Sequence, residues 1–181
     1  MLRKSWILVL GLAFAPAISI AQEQVKKGEM TNINTFPDCT LVAGNLVANC
    51  RFDTGDFTGW TQGGDPSFQN VISGCGHSGS FCASMGSVSY NGTLTQSIAT
   101  TGPSCSLSFW LGNSGQPSHF GVQWNAHQVM DLYYIPNLVI PANYTQFSVS
   151  GLPGGGAAYV TFEFYNPPAF IQFTDVVVTC P

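Results

Sequence analysis

Residues 45–60 read NLVANCRFDTGDFTGW. Leu46, Val47 and Phe52 give this stretch an apolar, strand-like start. Asp53-Thr54-Gly55-Asp56 then supplies the short polar side chains and the glycine that suit a turn. It closes on Gly59-Trp60. The reading predicts an opening strand over 45–52, a reversal, and a core tryptophan at 60 around which the later strands pack.

Working outward from residue 44, short runs alternate apolar and polar residues: 45–52, 67–72, 81–85, 93–98, 105–111, 120–124, 128–134, 145–149, 159–165 and 170–179. Glycine, proline, asparagine and aspartate punctuate them, with tight reversals at Asn91-Gly92 and Gly112-Asn113 and a loop at Gly154-Gly155-Gly156. No stretch holds a 3.6-residue apolar period for the length of an ordinary helix. So many short strands imply two packed sheets or a barrel. Period two assigns the faces. Leu107, Phe109 and Leu111 oppose Ser106, Ser108 and Trp110. Val160, Phe162 and Phe164 belong to a core that leaves Tyr159, Thr161, Glu163 and Tyr165 outside. Phe120, Val122 and Trp124 oppose Gly121, Gln123 and Asn125.

Only 8% of the 181 residues are charged, and beyond Lys27 the sole lysine or arginine is Arg51. Such a chain cannot neutralise a phosphate backbone, which excludes nucleic acid as a natural partner. Nor does it hold the polybasic patch that anionic lipids attract. Its polarity comes from serine, threonine, asparagine, glutamine and glycine, as suits an extracellular β-protein that meets neutral ligands or packs against its own kind.

The first 21 residues have the form of a secretory signal: a basic Arg3-Lys4, an apolar run over 6–15, and small residues at Ser19-Ile20-Ala21. The apolar run is too short to span a bilayer, so no membrane span is expected in the mature form. Residues 22–43 read as a flexible leader and 44–181 as the folded domain. All six cysteines follow the signal, and an even count in an exported chain implies disulfides. Cys75 and Cys82 bracket a turn-like Gly-His-Ser-Gly and suit a hairpin staple; the other pairings are open. There is no C-x-x-C, and the three histidines are scattered, which excludes a zinc site of ordinary spacing. Asn91-Gly92-Thr93 and Asn143-Tyr144-Thr145 fit the N-glycosylation triplet, which matters only in a eukaryotic secretory route.

The opening stretch resembles that of bacterial exported jelly-roll domains related to carbohydrate-binding modules and galactose-binding-like sandwiches, where it typically runs N-L-V-x-N-G-x-F-E-T-G-D-F-x-G-W. The likeness continues through residues 77–80, 92–96 and 107–111 and ends in Asp175-Val176-Val177-Val178, in order. It implies an all-β jelly-roll β-sandwich of two antiparallel sheets with a galactose-binding-domain-like topology. Many such domains occur in PEP-CTERM-sorted surface proteins, whereas this chain ends at Cys180-Pro181 without the sorting tail. It also has Cys50 for the usual glycine, Asp53 for glutamate, and Thr174 where a first aspartate often stands. The resemblance further implies that Asp53 and Asp175, brought together by the first and last strands, help hold a structural calcium. Backbone carbonyls of residues 78–80 would complete the oxygen set that calcium requires. The alternative is that Asp53 and Asp56 only make turn hydrogen bonds and Asp175 caps a strand end.

For binding, sugars offer apolar ring faces to aromatics and hydroxyls to amides and carboxylates. Trp110, Gln123, Asn125, Tyr134, Glu163 and Tyr165 are the outward residues of those types, and each is also open to a packing role. Catalysis is not expected. No carboxylate pair stands in a glycosidase context, no nucleophile elbow is present, and bridged cysteines leave no thiol. The expectation is a secreted, non-catalytic module that binds a neutral glycan or another extracellular surface component. A structural surface or matrix subunit, self-associating through sheet edges, is the alternative.

Overall fold

The computed structural model describes residues 38–113, 119–133, 144–167 and 169–181. Ten strands fill most of them: β1 (Thr61–Gly64), β2 (Gln69–Ser73), β3 (Phe81–Met85), β4 (Gly92–Ala99), β5 (Ser104–Asn113), β6 (His119–Trp124), β7 (His127–Leu132), β8 (Thr145–Pro153), β9 (Ala157–Tyr165) and β10 (Ile171–Thr179). None of the described residues is helical. The strands form two five-stranded antiparallel sheets, ordered β1-β4-β9-β6-β7 and β2-β3-β10-β5-β8. This is the all-β, two-sheet jelly-roll sandwich that the resemblance implies, and one of the two architectures that the strand pattern leaves open.

The period-two reading explains the core. Leu107, Phe109 and Leu111 of β5, Phe120, Val122 and Trp124 of β6, and Val160, Phe162 and Phe164 of β9 are all buried. Phe162 sits at the hub of the aromatic cluster, its ring centroid 5.0 Å from Phe173, 5.3 Å from Phe109, 5.8 Å from Phe120 and 5.9 Å from Trp60. These spacings are those of tilted and edge-on aromatic pairs, whose attraction adds to the area they bury.

The opening segment departs from expectation. Residues 45–52 form no strand: 45–47 run irregularly and 48–51 make turns. Asn49 and Phe52 take positive φ values of 49° and 60°, which a strand cannot accommodate. Phe52 tolerates that conformation because its ring is fully buried, 5.3 Å from Phe173 and 5.9 Å from both Phe57 and Trp60. The segment is tied to each sheet by a side-chain amide that imitates a peptide group. Asn45 Nδ2 donates to the Cys39 and Val176 carbonyls, while its Oδ1 accepts from the Val47 and Val178 amides, all within 3.2 Å. Gln96, on β4 of the other sheet, accepts from Ala48 N–H at 2.8 Å and donates to Ala48 C=O at 3.0 Å. Trp60 is buried, as expected of it, with its indole N–H lacking a partner.

The packed domain begins earlier than residue 44. Cys39 is fully buried and bonded to Cys50. The other two bridges are Cys75–Cys82 and Cys105–Cys180, the second closing a sequence separation of 75 residues and tying the end of β10 to the start of β5. A further strand missed by sequence pattern, β1, reads TQGG and carries no apolar residue; it is held by its pairing with β4.

Candidate functional site

The outward face of the β1-β4-β9-β6-β7 sheet gathers the polar side chains that face away from the core. Register places them in rows across the strands. One row runs Asp131, Gly121, Glu163, Thr93, Gly63. The next runs Gln128, Gln123, Thr161, Thr95, Thr61. His119 and Tyr165 are paired beyond the first row, and Tyr159 stands opposite Ser97 beyond the second. At a strand spacing of about 4.8 Å, five strands make a row of roughly 19 Å, long enough for an oligosaccharide. Some of these groups are already engaged: Thr95 Oγ1 and Thr161 Oγ1 are 2.9 Å apart, and His119 Nε2 lies 2.7 Å from Asp131 Oδ1. Tyr133 stacks near His119 with ring centroids 5.0 Å apart, and its phenol is held above its ordinary pKa by the neighbouring Asp131 carboxylate. Tyr159 and Tyr133 are well exposed.

Gly121 gives this face relief. A Cβ built there would lie 2.8 Å from Gln128 Nε2 and 3.4 Å from Glu163 Oε2, so the missing side chain leaves a notch floored by backbone and flanked by an amide and a carboxylate. Among the described residues no lysine or arginine stands on this sheet; Arg51, the only one described, lies in the opening segment.

Three of the six residues expected to bind, Gln123, Glu163 and Tyr165, therefore share one face. Asn125 lies at its end, in the β6–β7 turn with φ 51°, where its Oδ1 accepts from Tyr159 N–H at 2.9 Å. Trp110 does not join them. It projects from β5 of the opposite sheet and is only 8% exposed, because the His77 ring stacks on it at 3.9 Å. Tyr144 meets His77 edge-on at 5.8 Å, and its hydroxyl donates to Cys75 C=O at 2.5 Å. Burial pushes the Tyr144 phenol well above its usual pKa, with the Asp175 charge adding to it. Parity turned Trp110 outward as expected, but the loop between β2 and β3 folds over it. Tyr134 lies outside the described residues. His119, Asp131, Gln128, Thr93 and Thr95 join the face without having been singled out; their strands were legible, but the strand order that makes them neighbours was not.

A second concavity, a cleft of about 520 Å³, opens over the first segment and is lined by residues that include Asn45, Asn49, Thr54 and Thr58. Its polar side chains largely satisfy one another. Asn49 Nδ2, for example, donates to Thr54 Oγ1, Asp56 C=O and Thr58 C=O within 3.1 Å.

Asp53 and Asp175 both approach the turn at residues 78–79. Asp175, in a β-bulge with φ 52°, is buried. Its Oδ1 accepts from Cys39 N–H at 3.4 Å and from the Ser78 hydroxyl. Its Oδ2 accepts from Ser78 N–H at 3.1 Å, with His77 Nδ1 3.4 Å away but out of line for a hydrogen bond. Asp38, Cys39 and Asp175 bring potential ligand atoms within 4.8 Å of one another, but the Cys39 sulfur is committed to its disulfide. The guanidinium of Arg51 contacts both Asp38 and Asp53. The donor set fits calcium poorly: the turn directs the Ser78 N–H at Asp175 Oδ2, and an arginine already engages the Asp38 and Asp53 carboxylates.

No family model matches the chain, and no curated protein matches it in sequence. Solved structures do. The chain is similar to TmCBM61, solved in complex with β-1,4-galactotriose, at 14% identity over 76% of this chain and 99% of that one, with a TM-score of 0.62. It is similar to the K3 cleaved adhesin domain of Lys-gingipain from Porphyromonas gingivalis, at 20% identity over 75% and 98%, with a TM-score of 0.58. The CBM22-1–GH10 modules of the Clostridium thermocellum endo-1,4-β-D-xylanase 10B, complexed with xylohexaose, match at 14% identity over 76% of this chain and 28% of that one, with a TM-score of 0.57. At such identities the likeness shows the fold: a jelly-roll sandwich shared with carbohydrate-binding modules and with an adhesin domain. These neighbours lend no support to the link with PEP-CTERM-sorted proteins.

Proposed function

We propose that the chain is a secreted, non-catalytic glycan-binding domain, and that the ligand lies across the outward face of the β1-β4-β9-β6-β7 sheet. The observation that carries this reading is the pair of polar rows around the Gly121 notch. Glu163, Gln123 and Gln128 are placed to exchange hydrogen bonds with hydroxyls, and Tyr165 and Tyr159 border the rows with faces on which a sugar ring stacks. The carboxylates and the lack of a described lysine or arginine on this sheet favour neutral over acidic glycans, since an anionic sugar would meet like charge without a counter-ion. Three disulfides suit an oxidising compartment, and TmCBM61, which shares the fold, was solved in complex with β-1,4-galactotriose, as the CBM22-1–GH10 modules were with xylohexaose.

The test is a glycan array probed with oxidised mature protein, followed by titration of the best ligand against Tyr165→Ala and Gln123→Ala. Saturable binding that weakens about tenfold in each variant, with unchanged melting, supports the face; equal affinity in both variants places the ligand elsewhere. A second reading, self-association, is favoured by β8. This nine-residue edge strand reads TQFSVSGLP and has neither a charge nor an internal proline to discourage strand addition. Sedimentation that shifts with concentration, in the absence of any glycan signal, would support it.

A further inference from the structure

We infer that Arg51 serves as the built-in cation of this fold, holding by its guanidinium Asp38 and Asp53, the second of which is one of the two carboxylates that the jelly-roll resemblance assigns to a calcium ion. Arg51 Nε contacts Asp53 and its NH1 contacts Asp38, while the Asp175 charge acts on the guanidinium from nearby. Chiefly through its hydrogen bond to Asp53, and despite some burial, the guanidinium is held above its ordinary pKa. These three acidic groups come from separate places: Asp38 from the start of the packed domain, Asp53 from the reversal after Phe52, and Asp175 from the bulge in β10. Bringing three negative charges to one turn without a counter-charge is unfavourable, and the chain's only described lysine or arginine is spent there.

The surroundings are shaped for an organic cation and against a metal. Gly79 belongs to the contact: a Cβ there would lie 2.9 Å from Arg51 Cδ and 3.2 Å from Asp53 Oδ1, so only glycine lets the arginine stem pass beneath the turn. The turn also directs Ser78 N–H at Asp175, satisfying that carboxylate with donors that would repel a dication. A planar guanidinium presents five donors and can serve two carboxylates at once, whereas an ammonium is a single point. The position therefore needs no calcium: Arg51 clasps Asp38 to Asp53, while Asp175 of the last strand is met by Cys39 N–H and Ser78.

The experiment compares melting of the mature oxidised protein in millimolar calcium and in excess chelator, with calorimetric calcium titration, and repeats the melts for Arg51→Met, Arg51→Lys and each combined with Asp38→Asn. The expected result is a wild-type melting temperature that does not respond to calcium or chelator and no calorimetric signal. Arg51→Met should lower melting by roughly 1–4 °C and Arg51→Lys by less. Asp38→Asn alone should also lower it, but should raise it in the Arg51→Met background, where the same carboxylate has become a source of repulsion. Stoichiometric calcium binding by wild-type protein that raises its melting temperature overturns the inference and needs no variant to fold. So does an Asp38→Asn effect of one sign in both backgrounds.

Discussion

Filling the notch at Gly121 separates binding from folding more sharply than truncating any side chain. Gly121 has an ordinary strand conformation, not the left-handed one that demands glycine, so Gly121→Val imposes no backbone strain. A β-branched residue is favoured in a strand by up to about 1 kcal/mol. Against that, the new Cβ meets Gln128 Nε2 at 2.8 Å and Glu163 Oε2 at 3.4 Å. Both are ends of flexible side chains that can swing toward solvent, at a cost of a few tenths of a kcal/mol. The terms nearly cancel, so melting should move by no more than about 3 °C, given about 2–4 °C per kcal/mol for a domain of this size. The valine methyls would stand between the Asp131 and Glu163 carboxylates and displace the two side chains placed to meet a sugar. Losing even one such contact and the fit of the ring should cost at least about 1.4 kcal/mol, a tenfold loss of affinity. Isothermal titration with the best array ligand, beside a thermal melt, measures both. Undiminished affinity in a folded Gly121→Val protein would refute the placement of the ligand on this sheet. A collapse in melting would show that Gly121 is there for packing.

Other outcomes follow from the same structure. Trp110→Ala should lower stability by about 2–4 kcal/mol in a denaturant melt, because it removes a buried ring stacked on His77, and should leave glycan affinity intact, since it lies on the other sheet. Phe162→Ala, at the hub of four aromatic contacts, should cost about 3–5 kcal/mol. Replacing Cys105 and Cys180 by serine should cost up to about 4 kcal/mol, against roughly 2 kcal/mol for Cys75 and Cys82, because the longer loop restricts the unfolded chain more. In acid, Asp38 and Asp65 both contribute. Burial alone would raise Asp38, but Thr40 and Arg51 hold it below 3.8; Asp65 is held below 3.8 chiefly by Ser67, with help from the Ser89 and Val88 amides. A carboxyl depressed in the native state stabilises it fully above the unfolded pKa, and that contribution is lost as pH falls through the folded one. Melting should thus be flat with respect to these groups above about pH 5 and should fall below about pH 4.

The strands were legible where alternation was strict. β3 and the inward residues of β5, β6 and β9 match the pattern because each apolar position faces a core that both sheets share. β1 was not legible, since TQGG owes its conformation to hydrogen bonds with β4 and not to side chains it could bury. The opening stretch misled in the other direction: its apolar residues do enter the core, but through turns that place Phe52 and Trp60 side by side. For the candidate face, parity identified Gln123, Glu163 and Tyr165 as outward. Only the order β4-β9-β6-β7 shows that they are adjacent and that Trp110 is not among them. Contacts between distant parts of the chain, such as His77 on Trp110 or Arg51 on Asp38, have no local signature.

The two side-chain amides that stitch the opening segment to the sheets give the fold a chemical clock. Asn45 holds two carbonyls through its NH2 group, and hydrolysis of that amide, equivalent to Asn45→Asp, would set a carboxylate oxygen against the Cys39 and Val176 carbonyls it had bonded. A change of one atom would turn two attractions into repulsions at the seam between the first residues of the domain and its last strand. Ageing in warm solution should therefore release the opening segment first, while the ten-strand sandwich behind it remains assembled.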